Sequence, residues 1–209
     1  CGVCADLCPE QAIDFPEALC GQWYVSDTRF GPMVHARLGI AQENSGKLVS
    51  VVRQEAKNLA EHNRLDLILT DGPPGIGCPV IASIGQASAI LIVAEPTVSG
   101  CHDMERVTQL ARHFHIPAMV CINKYDLNIE QTEKIASLAR EAGVHVVGRI
   151  PFDRIFTDAM IEAKTIFEYT QTSQAGIQVQ QIWETVSRHL NTHAPVTNFI
   201  PSLKDQKNE

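Results

Sequence analysis

The run Leu65-Asp66-Leu67-Ile68-Leu69-Thr70-Asp71-Gly72-Pro73-Pro74-Gly75-Ile76-Gly77-Cys78 decides how this chain is read. Its first six residues have the length and apolar content of a buried strand. Asp71 ends that strand, and an acidic side chain there is costly unless something cationic offsets it. The glycines and prolines that follow make a constrained loop, with more punctuation than an ordinary strand-to-helix turn uses.

Downstream the same order repeats. Apolar runs at residues 89–94, 118–122 and 144–150 join 65–70 as four candidate strands. Helical periodicity fills residues 79–86, 102–115 and 129–142, the last closed by Gly143, and further helices are expected at 154–163 and 175–190. Upstream, residues 46–63 space Leu48, Val51, Val52, Glu55 and Leu59 to bury one helix face, while 23–39 reads as β-rich or irregular, without a definite assignment. Apolar strands alternating with helices predict an α/β fold, the later half of a doubly wound, mostly parallel sheet. Such folds bind ligands at the carboxyl ends of their strands. The candidate site is therefore the set of residues just after each strand.

Asp71 stands where a nucleotide-hydrolysing P-loop enzyme uses an acidic residue to hold Mg²⁺. It is the candidate catalytic residue, and the backbone N–H of Gly75 can approach a γ-phosphate. A solvated turn is the competing reading. After the third strand, Asn123-Lys124-Tyr125-Asp126 fits an N-K-x-D base-recognition element, with Asn and Asp reading a purine edge and the Lys stem covering the ring. A helix cap by Asp126 or Asn128 competes with it. After the fourth strand, Pro151-Phe152-Asp153 can pack against the far side of a base, although Asp153 also suits a helix N-cap. The candidate nucleotide-binding residues are thus Gly75, Asn123, Lys124, Asp126, Pro151 and Asp153, with ATP and Mg²⁺ as the implied ligands.

At the other end of the chain, Cys1-Gly2-Val3-Cys4-Ala5-Asp6-Leu7-Cys8-Pro9 matches the last three cysteines of the bacterial cluster motif C-x₂-C-x₂-C-x₃-C-P. Cys1, Cys4 and Cys8 are the candidate metal ligands. In two-cluster ferredoxins the cysteine before the proline serves the other cluster, which would split Cys1 and Cys4 from Cys8. A zinc half-site shares the C-x₂-C spacing. A disulfide framework fits poorly with seven cysteines in an acidic, cytosolic-looking chain. The incomplete motif leads to the expectation that the chain is an N-terminally truncated fragment.

The ordered set D-G-P-P-G, V-A-E-P-T (Val93 to Thr97), N-K-Y-D and I-P-F-D resembles the MinD/ParA/Mrp class of deviant-Walker P-loop ATPases. The cysteine motif, the run Thr28-Arg29-Phe30-Gly31 to His35-Ala36-Arg37-Leu38 and Glu43-Asn44-Ser45-Gly46-Lys47-Leu48 resemble the branch with an inserted ferredoxin domain. The resemblance implies an ATPase that dimerises face to face around nucleotide, with two [4Fe–4S] clusters in the insert and a redox or metallocofactor partner protein. The implied division is a ferredoxin remnant at 1–22, a P-loop ATPase domain at 23–190 and a flexible tail at 191–209. These 209 residues hold neither a Gly-rich Lys-Ser/Thr phosphate loop nor the acidic switch residue of that class. The fragment alone is accordingly expected to be inactive and its parent to hydrolyse ATP. A non-hydrolytic iron–sulfur carrier or scaffold with a vestigial nucleotide domain is the rival.

Lysine and arginine total 17 against 24 acidic residues, a net charge of −7 that argues against a general nucleic-acid surface. No apolar stretch reaches the roughly 20 residues of a membrane span. A cytoplasmic protein is expected. Cys78, Cys101 and Cys121 are read as small buried packing residues, although nitrogenase iron-protein relatives place a shared-cluster cysteine at the Cys78 spacing. His102, His113 and His115 read as solvated helix residues, and Arg29, His35 and Arg37 as ion-pairing or partner-facing residues of an extended segment.

Overall fold

Residues 23–39, left without an assignment above, lie in an antiparallel hairpin. In the computed structural model, which describes residues 3–14, 16, 21–39, 46–170 and 172–190, strand β1 (Gly21–Thr28) pairs with β2 (Gly31–Leu38). The expected ligand Cys1, residues 43–45 of the quoted run and the tail from 191 fall outside the described residues. The chain divides into two units, Cys1–Ile68 and Leu69–Glu209.

In the first unit a single helical turn, α1 (Val3–Asp6), holds Cys4. Gly31 turns the hairpin at a positive φ of 118°, a conformation that costs glycine little. The Thr28 hydroxyl donates to the Gly31 carbonyl at 2.7 Å and accepts from Phe30 N–H. Tyr24 and His35 are opposite residues in the register and stack at 5.5 Å, with Ser26 Oγ 2.9 Å from His35 Nε2. Helix α2 (Gly46–Asn63) has the bounds its periodicity predicts and packs against β2.

Among its described residues the second unit contains three parallel strands rather than the four expected. The expected strand at 65–70 forms no ladder; Leu65 and Ile68 are about half exposed, and Leu69 is 80% exposed. An apolar run becomes a strand only where a neighbour takes its backbone N–H and C=O groups, and none of the described strands pairs with it. The other three form. Strands β3 (Ile90–Ala94), β4 (Ala118–Asn123) and β5 (His145–Ile150) lie in the order β3-β4-β5. The α/β class with a parallel sheet is therefore correct.

Helices cover both faces of this sheet. After a short helix α3 (Cys78–Ile84), α4 (Val98–His113) joins β3 to β4 and α5 (Ile129–Glu141) joins β4 to β5. Both long helices pack on one face around Met104, Val120, Ile122, Ile135 and Ala139. Short helices α6 (Ile155–Ile161) and α7 (Ile166–Tyr169) lead to α8 (Gln174–His189). Helix α8 covers the other face, where Ile182 and Val186 meet Met119, Cys121 and Val147. Buried central residues on both faces explain why β4 reads as a continuous apolar run.

One irregularity sets the register. Val120 pairs with Val146 but Cys121 pairs with Gly148, so Val147 is an inserted residue in β5. The shift brings Ile150, rather than Arg149, opposite Asn123 at the end of the ladder. Gly148 also admits α8: a Cβ there would collide with Ile182.

Candidate functional site

The carboxyl ends of β3, β4 and β5 place three loops side by side. At the end of β3, Glu95 and the buried Pro96 precede Thr97, whose hydroxyl accepts from Gly100 N–H at 2.9 Å to cap α4. A Cβ on Gly100 would collide with the carbonyl of Glu95, so glycine lets the helix start against its own loop.

At the end of β4 the chain turns sharply. Lys124 adopts the left-handed conformation, φ 54° and ψ 38°, and a 3₁₀ turn follows over Tyr125–Leu127. The turn sends Lys124 Nζ to Glu95 Oε1 at 2.7 Å, an ion pair that joins the β3 and β4 loops. Both side chains are over a third exposed, so the pair is worth at most about 1 kcal/mol. Its use is to hold a long cation in one place. Asn128 accepts from Gln131 N–H at 3.0 Å and caps α5, so of the two caps anticipated there it is Asn128 that acts.

At the end of β5, Pro151 has no N–H to extend the ladder. The first donor beyond it is Phe152 N–H, and Asp126 Oδ1 accepts it at 2.6 Å. Asp153 turns the other way: its Oδ1 accepts from Ile155 N–H at 2.9 Å, but it stands one residue before the N-cap of α6, which is Arg154 and not the expected Asp153. Asn123, half-buried, sits opposite Ile150 as the last rung before these turns. Lys124, Asp126 and residues 151–153 are thus brought together by two strand ends and one hydrogen bond. Below them, between β5 and α8, a cavity of about 350 Å³ is lined by Tyr125, Arg149, Gln178 and Ile182. Arg149 is held by Glu133 at 2.6 and 3.3 Å, and this guanidinium lowers the Glu133 carboxyl below its usual range.

Asp71 and Gly75 lie in the loop before α3. Asp71 is exposed, and Gly75 has a positive φ of 87° with nothing near the position of a Cβ. The loop turns back toward the helix, since a Cβ on Gly72 would stand 3.7 Å from Ser83 Oγ. Cys78 corrects the sequence reading. It is exposed at the first position of α3, not buried, and follows the exposed Gly77. Cys101 and Cys121 are buried as expected, and burial pushes the Cys121 thiol up to about 11.

In the first unit Cys4 is exposed, and Cys8 Sγ accepts from Ala12 N–H at 3.4 Å. That amide, followed by those of Glu10, Gln11 and Ile13, lowers the Cys8 thiol below its usual value. Among the described residues no group of three or more His, Cys, Asp or Glu side chains is arranged to hold a metal ion. No helix among them is long and apolar enough to cross a membrane.

Two features of the site had weak sequence signals. Glu95 lies inside V-A-E-P-T, but nothing local indicates a pairing with Lys124, 29 residues away. The Asp126–Phe152 contact spans 26 residues and follows only from the aligned ends of β4 and β5.

No protein-family model matches the chain. Two uncharacterized proteins of Methanocaldococcus jannaschii, MJ0578 and MJ0579, are similar in sequence. The first is 30% identical over 97 residues, 46% of this chain and 34% of its own length. The second is 20% identical over 169 residues, 81% of this chain and 57% of its own length. Among solved structures, the septum site-determining protein MinD of Pyrococcus horikoshii, complexed with Mg-ADP, superposes with a TM-score of 0.57 at 17% identity. It covers 69% of this chain and 58% of that one. A ParA family ATPase from Chlorobium tepidum superposes with a TM-score of 0.52 at 16% identity, covering 68% and 57%. The chain thus spans less than two thirds of each of these proteins. Over the matched part, it has the α/β fold of the MinD and ParA P-loop ATPases.

Proposed function

We propose that the whole protein is a nucleotide-dependent ATPase. The observation that carries this is the convergence of Lys124, Asp126 and residues 151–153 at adjacent strand ends, where folds of this type hold ligands. The Pyrococcus horikoshii MinD structure, of the same fold, is complexed with Mg-ADP and supports the reading. Asn123, Lys124, Asp126, Pro151 and Asp153 form the base end of the site. Asp71, an exposed carboxylate in its loop, would hold the Mg²⁺, and the N–H of Gly75 would be the donor offered to a γ-phosphate. Bound Mg²⁺ would neutralise charge developing on the phosphate oxygens.

A nucleotide that favours one arrangement of the Asp71 loop would shift the protein between two states and gate a face-to-face homodimer. In the first unit, Cys1, Cys4 and Cys8 are the proposed ligands of [4Fe–4S] clusters. The N–H groups that lower the Cys8 thiol favour the thiolate a cluster needs. A cluster would store the electrons passed to a redox or metallocofactor partner in the cytoplasm, without nucleic acid or membrane. The test is steady-state ATP hydrolysis by the anaerobically purified whole protein and by its Asp71→Ala variant, with iron counted on both. Loss of turnover with iron retained is the expected result. Unchanged turnover in Asp71→Ala would sink the Mg²⁺ assignment, and stoichiometric zinc in place of iron would sink the cluster.

A further inference from the structure

Strand β5 is paired on one side only: β4 lies along one edge, and among the described residues no strand takes the other. An open edge presents a row of unpaired N–H and C=O groups. Cavities of about 350 and 390 Å³ flank this strand, the first toward α8 and the second toward α5. Gly148 and Arg149 line both, so the strand separates two hollows.

Each hollow has a polar group that is not fully matched. On the α8 side, Gln178 Oε1 is buried and accepts no hydrogen bond, which costs free energy until a donor reaches it. On the α5 side, Glu133 accepts two bonds from Arg149 and also feels the charge of Arg140. One carboxylate between two guanidinium groups leaves a positive charge over. Arg140 is exposed, and its Nε donates to the Ala136 carbonyl at 3.2 Å.

The chain's own continuation fits this edge badly. Helix α8 ends beside the start of β5, since His189 stacks on His145 at 5.1 Å. A strand drawn from beyond Leu190 would run parallel to β5 after a crossover on the α8 face. Helices α4 and α5 make their crossovers on the opposite face. Continuing in the same direction from the α8 face gives the left-handed connection that parallel sheets avoid.

We propose that the free edge of β5 takes up an extended acidic segment of a partner protein as an added strand. Side chains of a strand alternate between its faces. An Asp or Glu at one position of the segment meets Arg140, and a hydrogen-bond donor at the next meets Gln178. Backbone pairing supplies affinity, and the two side-chain contacts supply selectivity. Arg149 and the inserted Val147 guard the edge against indiscriminate pairing, because a charge and a bulge both hinder sheet extension.

Two capped hexapeptides test this on the whole protein, one alternating Glu with Gln and one alternating Lys with Gln. The Glu peptide should bind and slow amide exchange along β5. The Lys peptide should bind at least about tenfold more weakly, and Arg140→Glu, at an exposed position, should reverse that order. N-methylating the alternate peptide amides that face β5 should abolish binding with the protein unaltered. Failure of the Glu peptide to bind, or an order of affinities that Arg140→Glu leaves unchanged, would overturn the proposal. So would protection of β3, the other edge of the sheet, in place of β5. Edge amides of β5 already protected without peptide would show that the protein covers this edge itself, through a second copy or another part of its chain, and would overturn it too.

Discussion

The two units are held together by different physics. Among the described residues of the first, Ala60 is the one buried apolar side chain, while Trp23, Tyr24, Val25, Phe30 and Met33 of the hairpin are all more than a third exposed. The second unit buries Met104, Val120, Ile122, Ile135 and Ala139 almost completely. A two-stranded hairpin cannot shield both of its faces and is marginal without a partner layer. A three-stranded parallel sheet with helices on both sides encloses its own core. The lesson is that secondary structure and stability are separable: the hairpin has a full ladder of eight pairs and little core.

That contrast is sharpest in single-site stability. Ile135→Ala removes a side chain with no exposed surface and should lower the stability of the second unit by about 2–5 kcal/mol. Trp23→Ala in the hairpin should cost less than about 1 kcal/mol. The two tryptophans allow this to be measured, since Trp23 reports the first unit and Trp183 packs on the α8 side of the sheet in the second. Urea titrations of single-tryptophan variants should show two responses. Equal losses for Ile135→Ala and Trp23→Ala would break the comparison.

A smaller effect is expected where helix and sheet touch most closely. Gly148→Ala drives a methyl group into Ile182 and should cost about 1–3 kcal/mol by forcing α8 off β5. The Trp183 signal should move while Trp23 does not. Smaller again, Thr97→Ala removes the cap of α4 and should cost about 1 kcal/mol, read from the same urea midpoint.

Thiol chemistry separates the units without altering the fold. Backbone N–H groups lower the Cys8 thiol, so in cluster-free protein it should alkylate at a lower pH than a free thiol does. Burial raises Cys121 from the usual 9.0 to about 11, so in folded protein it should resist alkylation near neutral pH. The folded state holds the Cys121 proton more tightly than the unfolded chain. Its contribution to stability is therefore complete below pH 9 and is lost as the pH rises toward 11. Mass spectrometry of alkylated peptides follows both residues at once. Modification of Cys121 as fast as Cys8 at pH 7 would contradict the burial.

Much of this architecture was readable from local pattern. The amphipathic spacing of 46–63 and 129–142 fixed α2 and α5 to within a residue, because one face of each must be apolar over several turns. The runs in β3, β4 and β5 were equally plain. Residues 65–70 misled for the opposite reason: they have a strand's composition, but strand formation depends on a neighbour that composition does not contain. Cys78 was misjudged because exposure at a helix start depends on the course of the loop before it. The Asn123-Lys124-Tyr125-Asp126 element was visible as a motif, while the partners of its side chains were not.

By itself, the sequence determined which segments alternate as strand and helix, the acidic surface charge and the residues gathered at strand ends. These follow from periodicity and from side-chain type, which are local properties. The tertiary structure decided what those side chains face. The extra residue Val147 in β5 shifts the ladder by one, puts Ile150 opposite Asn123 and so delivers Phe152 N–H to Asp126. A bulge arises from how two strands and the helices over them pack together, and no single segment encodes that.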